Sequence, residues 1–293
     1  MSLVKIEVQQ LTTWQQLVEA TNYLMNWPTG SWVFRGHEDA SWKLQTSLER
    51  EFGKQGDEIE QALVLHFVRS APRFLASHLV PEDRDVAAWL GLIQHYGGPT
   101  RLLDATRSPY VGLFFAFEPA GDVERALWAV DSRWCMFSCA WTMGLAEGKS
   151  EEEMKERMLG FQSEIVNSLF IRNPALHHPK FKGFKPFSGV FPLEPWKPDV
   201  RQSAQQAVFL CTANPQLTFL ENLESHVSSA VTVVYKFELP ASLREEALEK
   251  LSFMNVTAAT LFPDLTGLAR SLRTYTVRPQ KTKPGSAPWT DKG

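Results

Sequence analysis

The stretch QHYGGPTRLLDATRSPYVGLFFAF, Gln94 to Phe117, sets eight polar or charged residues (His95, Tyr96, Thr100, Arg101, Asp104, Thr106, Arg107, Ser108) directly before one of the most apolar runs of the chain. Such groups are costly to bring near a core unless each finds a partner. Ser108-Pro109 is a helix-start pair: the serine oxygen caps free N–H groups, and proline fits the first helical position. The helix it opens, YVGLFFAFE, is apolar on nearly every side and must be central to the fold. TRLLDAT before it reads as a short strand. The polar cluster therefore sits where a strand turns into a buried helix.

Working outward, DVAAWLGLIQHYGG reads as a helix closed by Gly97 or Gly98 in a left-handed position. GDEIEQALVLHFVRSAPRFLASHL is a helical pattern bent or split by its proline. SWVFRG is a strand that ends at Gly36. Thr12 with Gln15 has capping-box spacing, so a first helix follows it within residues 1–30. ALWAVD, QAVFLC, VTVVYKFEL and AATLF read as strands. Ser150 with Glu153 opens a charged helix to about Phe170, and Ser242 with Glu245 caps REEALEKLSFM. Asp264 is placed to cap LTGLARSL. Residues 171–200 are dense in proline, glycine and aromatics without periodicity and read as a loop excursion. The tail 278–293 is polar and proline-bearing. The main domain spans 31–277 with an insert at about 140–200. The elements intersperse without a βαβ rhythm or a glycine-rich phosphate loop, which predicts an α+β fold of mixed small sheets with packed helices.

The chain has 293 residues, 44% of them hydrophobic, enough for a sizeable core. Thirty basic against 33 acidic residues give a net charge of -3, which argues against coating nucleic acid by bulk electrostatics. Cys135, Cys139 and Cys211 have no paired metal spacing, so no metal is predicted. The first residues show no signal pattern and no apolar run reaches membrane length, which reads as a cytoplasmic protein without a membrane partner.

Three constellations carry candidate chemistry. In FRGHEDASWKLQTSLER, Arg35 ends an apolar strand and Gly36 allows close backbone approach. A phosphate or carboxylate clamp explains this, and so does a structural salt bridge. In the opening stretch, Asp104 is either a buried partner of Arg101 or Arg35, or part of a pocket. In the second case the Ser108 helix start holds an anion, and His95, Tyr96 and Thr100 line the site. In RQSAQQAVFL, Arg201, Gln202, Gln205 and Gln206 precede a buried strand, where an edge-strand surface is the simpler account. One shared cleft would explain all three, with Arg35, His95, Arg101, Asp104 and Gln206 converging in it.

These segments resemble the FRG domain, named for a Phe/Tyr-Arg-Gly motif, here Phe34-Arg35-Gly36. The likeness continues through SWKLQTSLER and QHYGGPTRLLDATRSPYVGLFFAFE, and again at RQSAQQAVFL and ATLFPDLTGLARSL. Gly98 and Ala105 depart from the family's pattern, which often has leucine and tryptophan there. The order of elements is also distantly similar to the ADP-ribosyltransferase fold. That similarity implies Arg35 holding NAD as substrate and Thr106 or Ser108 supporting the nicotinamide ribose. Gln206 or Gln205 falls where a catalytic glutamate is expected, so either Asp104 substitutes for it or the domain binds a nucleotide without turning it over. The resemblance implies an NAD-consuming transferase or NAD glycohydrolase with a protein, nucleic-acid or water acceptor, by analogy a toxin or antiphage effector. The alternatives are a non-catalytic nucleotide- or phosphate-binding module and a nucleic-acid-processing protein.

Overall fold

The computed structural model describes residues 4–27, 31–142, 166, 187–195, 198–226 and 232–275. Seven strands form one mixed sheet: β1 (Ile6–Gln10), β2 (Trp32–His37), β3 (Leu102–Thr106), β4 (Arg125–Asp131), β5 (Val190–Leu193), β6 (Ala207–Thr212) and β7 (Val234–Leu239), in spatial order β1-β7-β4-β2-β3-β6-β5. Only β1 and β7 run parallel; every other neighbouring pair is antiparallel. The α+β reading holds, but the strands join in a single sheet instead of several small ones. The N-terminal segment, read as helical, also supplies the edge strand β1.

The helices are α1 (Trp14–Met25), α2 (Ser47–Phe52), α3 (Gly56–Ser70), α4 (Val86–His95), α5 (Pro109–Phe117), α6 (Ser132–Thr142), α7 (Val200–Ala204), α8 (Phe219–Glu224), α9 (Arg244–Phe253), α10 (Ala258–Leu261) and α11 (Leu265–Tyr275). Pro72 splits the third pattern: α3 stops at Ser70 and Pro72 sits in a 3-10 turn, Ala71–Phe74. Gly97 closes α4 at φ +80°. Asp264 caps α11 through the Gly267 N–H at 2.8 Å.

Four expectations change. The first capping box is Thr13 with Gln16, one residue later than read. AATLF is the helix α10, not a strand, because Thr257 and Thr260 form a capping box around its first turn. Ser242 does not cap α9; a 3-10 turn, Ala241–Leu243, leads into that helix without a side-chain cap. Within the 171–200 excursion, Val190–Leu193 pairs with β6 as β5. The Ser150 helix lies outside the described residues, apart from helical Val166.

Both faces of the sheet are covered along β4 and β6, which explains why these strands are nearly continuous in apolar character. On β6, Phe209 and Cys211 join a cluster with Trp89 and Leu90 of α4, whereas Val208 and Leu210 pack against Phe219 and Leu223 of α8. On β4, Leu127 and Ala129 meet Phe114 and Phe117 of α5.

The close approach of α5 to β2 rests on two glycines. A Cβ on Gly36 would lie 2.0 Å from the Gly112 carbonyl oxygen and 2.6 Å from the Ala116 nitrogen. Backbone therefore packs on backbone. A second constraint is electrostatic: Arg101, 1% exposed, meets Glu60 of α3, 0% exposed, with Nε donating to Oε2 at 2.6 Å and Nη2 in ion-pair contact with the same oxygen at 2.5 Å. The Arg101 N–H donates to the other Glu60 oxygen at 3.0 Å, so the pair pins α3 to the start of β3. No helix among the described residues is long and apolar enough to cross a membrane.

Gly36→Ala should force α5 off the sheet and cost about 3 kcal/mol, the upper range for overpacking. Glu60→Gln strands the buried guanidinium and should cost roughly 3–5 kcal/mol. Chemical denaturation measures both, and a loss below about 1 kcal/mol in either would contradict the packing described.

Two buried histidines set a pH dependence. Burial, reinforced by the Arg35 charge, lowers His37 to about 4, and burial lowers His226 to about 4 from an ordinary 6.5. Their folded pKa values lie below the unfolded ones, so between those limits the unfolded chain binds more protons. Stability should be whole above about pH 6.5 and fall towards pH 4, by at most about 3 kcal/mol per histidine. Unfolding midpoints at pH 7 and pH 5 test this; equal midpoints refute it.

Candidate functional site

Strands β2 and β3 meet at one bridge, Phe34 with Thr106. In register the next pairs would be Arg35 with Ala105 and Gly36 with Asp104, but there the strands part. β2 continues against β4 as far as His37, and β3 continues against β6. The sheet is split, and a cleft of about 370 Å³ opens at the split, within the range of small-molecule sites.

Arg35 bridges the gap. By strand alternation its side chain leaves β2 on the face opposite Phe34, Thr106 and Asp104. The open seam lets Nη1 donate to the Asp104 carbonyl oxygen at 2.7 Å, a backbone acceptor that a continued ladder would have used. Arg35 Nε donates to His37 Nε2 at 3.1 Å. With a pKa near 4, His37 is neutral at pH 7 and is an acceptor there. Burial lowers the Arg35 pKa, and the neighbouring Asp104 charge opposes that shift. The side chain of Arg35 is 24% exposed.

The Asp104 carboxylate points into the cleft, 60% exposed and 4.0 Å from Arg35 Nη1. A short relay orients it. Thr100 Oγ1 donates to Gln94 Oε1 at 2.5 Å, and Gln94 Nε2 donates to Asp104 Oδ2 at 3.0 Å. Trp42 and Phe115 contribute aromatic walls, and Gln202, Gln205 and Phe209 line the side formed by α7 and β6. His95, at the end of α4, lines this cleft and also a second cavity of about 490 Å³ beside it.

Of the residues expected to converge, Arg35, His95 and Asp104 do share the cleft, together with Gly36 and Thr106. Arg101 does not: it is buried against Glu60 and anchors α3. Asp104 is accordingly no buried partner of Arg101. Gln206 is also absent from the lining. It takes a left-handed φ of 47°, and its carbonyl accepts the Arg107 N–H at 3.1 Å. Gln205 lines the cleft instead, its amide donating to the Leu261 carbonyl at 3.0 Å.

The remaining positions act around the cleft. Thr100 is fully buried and works through Gln94. Thr106 Oγ1 donates to the Gln205 carbonyl at 2.7 Å and accepts the Ser108 N–H at 3.1 Å, tying β3 to α7. Ser108 caps α5 through the Val111 N–H at 3.4 Å and stays out of the cleft. Tyr96 is 65% exposed, lines the second cavity and stands edge-on to His95 at 4.9 Å. Gly36 borders the cleft, yet the close approach it permits is that of α5, not of a ligand.

Sequence reasoning passes over Gln94, His37 and Asp199. Gln94 looks like an ordinary helix-end residue, and His37 merely follows the glycine. Asp199 stands three residues before Gln202, a capping-box spacing that was there to be read. No group of three His, Cys, Asp or Glu side chains among the described residues is placed to hold a metal ion.

No curated protein and no solved structure matches the chain. The later segments that resembled the FRG pattern, RQSAQQAVFL and ATLFPDLTGLARSL, fall outside the matched region of the family comparison. Residues 30–125, which hold Arg35, Asp104 and the whole split between β2 and β3, match the family model of the FRG domain.

Proposed function

We propose that the cleft binds the nicotinamide ribose end of NAD, and that Asp104 stabilises the cationic ribosyl group formed as nicotinamide leaves. The observation that carries this reading is an exposed carboxylate facing an arginine in one cleft, beside the aromatic rings of Trp42 and Phe115. An anionic oxygen near the anomeric carbon favours the oxocarbenium-like state far more than an amide does. The aromatic rings suit a flat nicotinamide. Arg35 already spends two donors on His37 and the Asp104 carbonyl, which fixes its plane and leaves the rest of the guanidinium for ligand phosphate or ribose. By analogy alone, consumption of NAD fits a toxin or antiphage effector.

A second reading, a non-catalytic nucleotide- or phosphate-binding module, is favoured by Gln205. The position nearest the expected glutamate carries a neutral amide engaged with the Leu261 carbonyl.

Arg35→Lys keeps the charge and loses the forked geometry. NAD affinity should fall by roughly 1–3 kcal/mol with little change in melting temperature. Asp104→Asn should leave NAD binding and stability nearly unchanged, since the side chain is exposed, and cut nicotinamide release by a factor on the order of 100. Growth arrest on expression should disappear with the same substitution. Wild-type protein that binds NAD and releases no nicotinamide with any acceptor selects the binding module. Absence of NAD binding rejects both readings.

A further inference from the structure

At the wall shared by the two cavities, His95 Nδ1 lies 3.0 Å from Asp199 Oδ2. Asp199 is not free to turn. Its other oxygen accepts the Gln202 N–H at 2.7 Å, and Gln202 Oε1 accepts the Asp199 N–H at 3.1 Å, a reciprocal cap on α7. His95 sits at the C-terminal end of α4, flanked by the edge-on ring of Tyr96. Two elements far apart in sequence thus present a histidine whose Nδ1 is held by a fixed carboxylate. Among the described residues no hydrogen bond engages Nε2, and the His95 side chain is 29% exposed where it lines both cavities.

A carboxylate on Nδ1 sets the imidazole tautomer that leaves Nε2 as a proton acceptor, and it stabilises the imidazolium formed when that proton arrives. The dyad is separate from Asp104, which belongs to the relay through Gln94 and Thr100. One cleft therefore holds a carboxylate suited to a developing cation and, apart from it, an oriented base.

We propose that His95 is the general base for an O–H nucleophile, water or an acceptor hydroxyl, with Asp199 as its positioning residue. The inference rests on the NAD-cleaving reading above. In the step, the nucleophile's oxygen bonds to the anomeric carbon as the carbon–nitrogen bond to nicotinamide breaks. The electron pair of that bond neutralises the pyridinium ring, and the hydroxyl proton moves to His95 Nε2. The imidazolium is held by Asp199 until it loses the proton to solvent. No further reactant is required. Because His95, Gln202 and Phe209 border both cavities, the second cavity is the side from which the nucleophile reaches the base.

The experiment measures NAD affinity by calorimetry and nicotinamide release with the full chain, in water alone and with methanol as a small hydroxyl probe. Methyl ADP-ribose reports transfer to an alcohol, and free ADP-ribose reports hydrolysis. His95→Ala should keep NAD affinity within about threefold and lower both rates on the order of 100-fold or more, the range for a general base. Added imidazole should restore part of that loss, which a packing role would not allow. Asp199→Asn retains a good helix cap and should slow both reactions without rescue by imidazole. His95→Gln, closer in size, guards against a variant that fails to fold and should be as slow as His95→Ala. Normal turnover in folded His95→Gln or His95→Ala overturns the dyad and leaves the NAD-cleaving reading intact. A loss of affinity that accounts for the loss of rate, or no rescue by imidazole, also overturns it, making His95 a ligand contact. A wild-type chain that releases no nicotinamide overturns the underlying reading and the dyad together.

Discussion

The structure turns on the parting of β2 and β3 after a single bridge. An antiparallel pair that stops there leaves backbone acceptors facing a gap, and such groups are costly unless satisfied. Arg35 meets that demand by donating to the Asp104 carbonyl across the opening. The guanidinium thus stands in for a missing rung of the ladder and carries a positive charge into the cleft. Of the two readings of Arg35, the structural one is met through the Asp104 carbonyl and His37, and the clamp belongs to the proposed function.

Keeping the seam open needs rigid walls. On one side, α5 lies so close to β2 that a Cβ at position 36 would strike the backbone of Gly112 and Ala116. On the other, the Arg101–Glu60 pair locks α3 to the root of β3. Arg101 and Glu60 are buried and stand outside the cleft, whereas Gly36 and Gly112 border it. They hold its edges in register while Gln94, His37 and Asp199 orient the polar groups within. The division follows from solvation: a buried ion pair with no water access is poorly placed to bind a ligand but well placed to fix geometry. The charged groups that line the cleft, Arg35, Glu38, Asp104 and Arg201, are all left at least partly exposed.

Much of this was legible in the sequence. Ser108-Pro109, Gly97 and the apolar run after Ser108 mark their elements because capping and chain stiffness are local. Arg35, His95 and Asp104 stand out because polar residues at the edge of apolar strands need an explanation. What failed was long-range. Nothing near Arg101 announces that Glu60, 41 residues earlier, will pair with it. Gln205 and Gln206 are indistinguishable by type, and only the left-handed backbone at 206 turns one away from the cleft. AATLF has strand composition, yet the cap at Thr257 decides for helix. Val190–Leu193 lacks alternation because β5 is buried along its whole length.

The edge strand β1 has a consequence for how the chain reaches its final form. It pairs with β7, whose residues come more than 220 positions later. A chain emerging from the ribosome at roughly 5–20 residues per second would hold β1 without its partner for on the order of ten seconds or more. Until then the segment carrying α1 has no sheet to join, although β2, β3 and β4 are already made. The last closure is therefore a long-distance one, slow by the entropy of the loop it completes. In the interval the outer side of β4 is a bare strand edge, open to pairing with another nascent copy.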